Sequence, residues 1–110
     1  MAKQTKSFSI NLIIDGKNRK ITNKGVKVKT MRSIMKYYRD MENVQKDMAN
    51  GVEVDQLELL DSMIVLLVEI FEHPEVTFEA IENSIESDDL VDVLENILGT
   101  IMGVDDSKEA

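Results

Sequence analysis

The chain has no cysteine, no tryptophan, one proline, one histidine and five aromatic residues in 110. Each shortage closes a class of function. Without cysteine there is no disulfide, thiolate metal site or thiol nucleophile, and no need for an oxidising compartment. The single imidazole, His73, has no second histidine or cysteine with which to share a transition metal. It also lacks an orienting group and a nucleophile for general-base work. Lying just before Pro74, it reads as a helix-end residue that complements the helix dipole. The glycines at 16, 25, 51, 99 and 103 are scattered and form no phosphate loop. No serine stands in a nucleophile elbow. The acidic group Glu86, Asp88, Asp89 and Asp92 lacks the ligand spacing of a calcium loop and reads as helix-start carboxylates. No catalytic, cofactor-binding or metal residue is assigned, and no cofactor is expected. The longest apolar run, Met63 to Val68, is far too short to span a bilayer. The opening Met-Ala-Lys-Gln-Thr-Lys has no apolar stretch behind it and does not read as a signal peptide. The expected location is the cytoplasm, away from membranes.

What the chain does have is a charge split in two. Met1 to Arg39 holds eleven basic residues and one acid, a local net of +10. Asp40 to Ala110 holds two basic residues and twenty acids, a net of −18, and the whole carries −8. Such asymmetry fits a nucleic-acid arm on an acidic body, or two ends that attract each other within one chain or between copies. Nucleic acid is the weaker reading. Aromatics for base stacking are scarce, and the acidic body repels a polyanion. Self-attraction predicts a weak, salt-sensitive, head-to-tail homo-oligomer in which Lys17, Arg19, Lys20, Lys27 and Lys29 meet acidic helices.

The pattern predicts an α+β fold in a single domain over 1–110, with 1–6 and 104–110 as flexible tails. Ser7 to Ile14 alternates, with Phe8, Ile10, Leu12 and Ile14 on one face. Asp15-Gly16 marks a hairpin turn, and Asn18 to Thr22 reads as the return strand. Lys24 to Lys29 resumes alternation and offers a third, edge strand. About four helices follow. Thr30 is the expected cap of the first, Met31 to about Ala49, whose apolar face carries Met31, Ile34, Met35, Tyr38, Met41 and Met48. Asp55 caps the second, to Glu72; Thr77 caps a short third, to about Ser84; Ser87 opens the last, to Met102.

Two of these helices are too apolar for one ordinary seam. The second has a stripe of Leu57, Leu60, Ile64, Leu67, Val68 and Phe71, beside another of Leu59, Met63, Leu66 and Ile70. The last has Leu90, Leu94, Ile97 and Ile101, flanked by Val91, Leu98 and Met102. An apolar arc wider than roughly 100° needs more than one neighbour. The second helix therefore reads as central, and the flanking stripe of the last as a partner surface. With the methionines of the first helix, which suit adaptable contacts, the expected partner-binding residues are Met31, Met35, Val91, Leu98 and Met102.

The order of these pieces is itself informative. A hairpin of Ser-Phe-Ser-Ile-Asn-Leu-Ile-Ile-Asp-Gly-Lys precedes a Lys/Arg-rich connection and a Met-Arg-x-x-Met-x-Tyr-Tyr helix over Met31 to Tyr38. An apolar acidic helix ending in Phe71-Glu72, a Thr77-Phe78 helix start and Asp88 to Leu94 running on to Gly103 follow. The chain, from about Lys6 to Gly103, resembles the tail assembly chaperones of long-tailed siphophages and related prophages of Gram-positive bacteria. The resemblance implies a non-enzymatic protein of the infected cell that binds the tape measure protein, keeps it soluble and helps recruit tail tube protein. It also implies that many relatives are made in a longer, frameshifted form. The alternatives are a small nucleic-acid-binding module using the basic hairpin, or a minor virion structural protein.

Overall fold

The computed structural model describes residues 7–103. The expectations for 1–6 and 104–110 lie outside the described residues. Strands β1 (Ser7–Ile14) and β2 (Lys17–Lys24) pair antiparallel with Ile10 opposite Ile21. Asp15 and Gly16 both take positive φ, 54° and 77°, as a tight primed turn between twisted strands requires. The period-two pattern holds: Phe8, Ile10 and Leu12 are buried, while Asn11 and Ile13 face out. The second strand contributes one buried apolar side chain, Ile21.

The proposed third strand is absent among the described residues; the sheet has two strands. Gly25 turns the chain with φ +66°, and α1 (Val28–Ala49) begins directly. Its start corrects a second expectation. Thr30 is not the cap: the cap position is Lys27, without a side-chain hydrogen bond, and Thr30 is buried one turn in. The first turn is thus set by packing on the core. Helix α2 (Gln56–Phe71) does start as expected, with Asp55 Oδ1 accepting from the N–H groups of Leu57 and Glu58 at 3.0 and 3.3 Å. Helix α3 (Phe78–Ser84) is capped by Thr77, whose Oγ1 accepts from the Ala80 N–H at 3.1 Å. Helix α4 (Ser87–Met102) carries Asp88 and Asp89 in its first turn and ends at Gly103 with φ +76°.

His73 does not sit in a helix. Glu72 ends α2 in the left-handed conformation, and His73 Nδ1 accepts from the Glu75 N–H at 3.0 Å. The ring thus shapes the turn after α2, two residues beyond the helix end.

The core lies where β1, α2, α3 and α4 meet. Helices α3 and α4 pack on β1, and α2 packs on α1, α3 and α4. Phe8 and Phe71 meet edge-on, with centroids 5.3 Å apart. Two polar contacts fix the hairpin to the helices. The Ile13 N–H on the open side of β1 donates to Ser84 Oγ at 2.7 Å, which satisfies an edge group. Asn23 Nδ2 donates to the Ile70 and Phe71 carbonyls at 3.5 and 3.4 Å, where α2 leaves acceptors unpaired. As expected, α2 is central: Ile64, Leu66, Leu67, Ile70 and Phe71 are all buried.

Candidate partner surface

The fold leaves surplus apolar surface along α1 and α2. Helix α1 is 22 residues long, about 33 Å at 1.5 Å per residue. Only its Thr30 and Ile34 are buried. Along α2 the stripe that fills the core runs out of cover toward the N-terminus. Leu67 is 0% exposed, Ile64 3%, Leu60 37% and Leu57 65%. Among the described residues, eight of the eleven exposed large apolar residues lie on α1, α2 or their connection: Val28, Met35, Tyr38, Met48, Val52, Leu57, Leu60 and Val65. The other three are Ile13, Val91 and Met102. Apolar exposure concentrated on one helical hairpin marks an interaction surface more readily than scattered single residues do.

The expected partner-binding residues divide. Met35 on α1 and Val91 and Met102 on α4 are exposed, and Met31 is half-buried. Leu98 is a correction. At 2% exposure it belongs to the core with Leu90, Leu94 and Ile97, so it offers nothing to a partner while the domain is folded. Ile101, assigned to the core stripe, is only half-buried. The buried arc of α4 is therefore rotated toward Leu98. Met31 and Met35 line a shallow hollow with Arg32, Lys36 and Arg39, so this methionine surface has a basic rim. The Glu95 carboxylate of α4 acts electrostatically on both tyrosines of α1. Burial, then the Glu95 carboxylate, then Tyr38 hold the Tyr37 hydroxyl above its ordinary pKa; burial and Glu95 do the same for Tyr38. The two tyrosine rings meet edge-on at 6.1 Å.

The expected self-association residues divide as well. Arg19 Nη2 lies 2.9 Å from Glu75 Oε1, and Lys27 Nζ lies 3.8 Å from Glu72 Oε1. The Arg19 contact is Coulombic, because that buried Oε1 makes no aligned hydrogen bond. Part of the charge split is thus paired inside the chain, β2 to the turn after α2 and the start of α1 to the end of α2. Lys17, Lys20 and Lys29 are exposed and make no ion pair among the described residues.

A second feature was not foreseen in the sequence: a groove of ≈ 320 Å³ between α1 and α2. Its walls include Tyr37, Asp40, Glu58, Asp61, Val65 and Glu69. The signal for it was faint, a lone Val65 among the polar positions Glu58, Asp61, Ser62 and Glu69. Among the described residues no group of three or more His, Cys, Asp or Glu could hold a metal ion. No helix there is long and apolar enough to cross a membrane.

No curated protein and no solved structure matches the chain. A family model described as phage tail chaperone protein does match, over residues 5–110. That match takes in the hairpin, all four helices and the apolar α1–α2 surface, and the chain belongs to the phage tail chaperone family.

Proposed function

We propose that this chain binds the tape measure protein during tail assembly, keeps it soluble and helps bring tail tube protein to it. It acts in the host cytoplasm, by binding and without catalysis. The carrying observation is the concentration of exposed apolar side chains on the α1–α2 hairpin. Such a surface gives an apolar client somewhere to bury area, at about 25 cal/mol per Å². The net charge of −8 keeps a complex from clumping. Val91 and Met102 on α4, with Met31 and Met35 on α1, offer the client further apolar side chains. The test is co-expression with the tape measure protein. A client that stays in the pellet whether or not the chaperone is present would sink this reading.

Weak self-association belongs to the same proposal. Lys17, Lys20 and Lys29, which make no ion pair among the described residues, meet acids of another copy, whereas Arg19 and Lys27 already have partners. The contact is head-to-tail and screened by salt. Sedimentation velocity at low and high salt reads it directly; one unchanged monomer peak at both would end it.

A further inference from the structure

The groove between α1 and α2 opens beside the buried core, with Leu66 belonging to both, and its charge is one-sided. Glu58, Asp61 and Glu69 line one wall, and Asp40 lines the other. None of the four makes an ion pair among the described residues. One basic residue, Lys36, shares the groove. Three apolar groups line it with these charges: Tyr37, half-buried, Val65, 46% exposed, and Leu66, buried.

We propose that this groove is the landing site of a cationic amphipathic helix on the client protein. The proposal rests on the reading of the chain as a client-binding chaperone, and names the class of segment it holds. Two helices joined by a short connection leave a furrow that a third helix fills with side-chain ridges. Glu58 to Glu69 spans about 16 Å of helix axis, or three turns. A partner presenting an apolar seam with Lys or Arg three and four residues apart meets Val65 and Tyr37 with the seam. Its bases meet the four carboxylates. An anionic or neutral helix leaves those carboxylates facing like charge or apolar surface, so the groove discriminates by repulsion as well as attraction. The complementary segment could also come from a second copy, whose α1 carries Lys29, Arg32, Lys36 and Arg39 at the same spacing. The experiment separates the two.

The probes are a synthetic Leu/Lys amphipathic helix and its Leu/Glu counterpart, titrated into the full chain and followed by amide NMR at low salt. The Leu/Lys peptide should shift amides of residues 36–40 and 58–69 and lose affinity as salt rises. The Leu/Glu peptide should not bind. Asp61→Asn with Glu69→Gln should weaken binding about fivefold, two exposed charge contacts' worth. Val65→Ser should weaken it about threefold through lost apolar contact. The control is Asp88→Asn with Asp92→Asn on α4, which changes net charge equally and should leave affinity within about twofold. Equal weakening by both double variants, shifts centred on α3 and α4, or equal binding of the Leu/Glu peptide would overturn the proposal. So would failure of the Leu/Lys peptide together with self-association that the Asp61/Glu69 variant abolishes; the groove is then a copy-to-copy contact. Co-expression keeps the two levels apart. A tape measure protein held soluble by the Asp61/Glu69 variant as well as by the wild type leaves the chaperone reading standing and removes the groove from it. A client that even the wild type leaves insoluble removes the chaperone reading itself.

Discussion

Leu98 is where sequence periodicity and structure part most sharply, and truncating it gives the cleanest test of the packing. At 2% exposure it sits in the core cluster with Leu94, Ile97 and Leu67. Leu98→Ala removes three carbons from a close-packed site, losing their transfer energy and leaving a cavity; such changes cost about 2–5 kcal/mol. A domain of this size has only about 5–15 kcal/mol to lose. A loss of ~3 kcal/mol corresponds to a fall in Tm on the order of 15 °C. Leu98→Asp adds a buried, unpaired carboxylate and should leave no folded population. The exposed neighbour Val91, at 41%, makes the contrast. Val91→Asp should change stability by less than about 1 kcal/mol, as surface substitutions do. Urea unfolding followed by circular dichroism at 222 nm measures all three. If Leu98→Ala costs less than about 1 kcal/mol, or no more than Val91→Asp, then Leu98 is not core and the rotation of α4 described above is wrong.

Three further outcomes are expected. Asp55→Ala removes the acceptor for two N–H groups at the start of α2 and should cost about 1 kcal/mol in the same unfolding assay; no measurable change would mean the cap is idle. Asn23→Ala removes two long hydrogen bonds to the last α2 carbonyls, so its cost should fall near the low end, about 0.5 kcal/mol, and a loss above about 2 kcal/mol would show that Asn23 has a larger packing role. The Tyr37 hydroxyl, held up first by burial and then by Glu95, should ionise later than a free tyrosine in an absorbance titration at 295 nm. Its folded pKa is raised, so the stability it contributes is whole below its unfolded value of about 10 and is lost as pH climbs through the folded value. Glu95→Gln should lower the Tyr37 transition only in part; a return to the free value would make burial the lesser cause.

The parts legible in the sequence were those set by local chemistry. Strand β1 was readable because every second residue is apolar and Asp15-Gly16 supplies the positive φ of a tight turn. The starts of α2 and α3 were readable because Asp55 and Thr77 cap through their own side chains. The start of α1 was not. Lys27, Val28 and Lys29 alternate like a strand, and only the turn at Gly25 and the burial of Thr30 carry the chain into helix. The same limit governed the surface. Periodicity places Leu57 and Leu60 on the stripe that buries Ile64 and Leu67, and does not reveal where the neighbouring elements end. It gives α4 a wide apolar arc without saying which half of the arc meets β1 and α2, so Leu98 read as flank and proved to be core. The charge split was visible at once. Its partial pairing, Arg19 with Glu75 and Lys27 with Glu72, needed β2 and the start of α1 to come beside the end of α2 and the turn after it.

The central claim is that the uncovered end of the α1–α2 hairpin holds the client. Leu57→Ser with Leu60→Ser tests it, since both side chains are exposed and their loss should leave the melting temperature within a few degrees, roughly 1 kcal/mol or less in stability. The measurement is the fraction of tape measure protein in the supernatant when co-expressed with wild type or with the double variant. The client should be soluble with the wild type and mostly pelleted with the folded variant. A folded variant that keeps the client as soluble as the wild type does would contradict it.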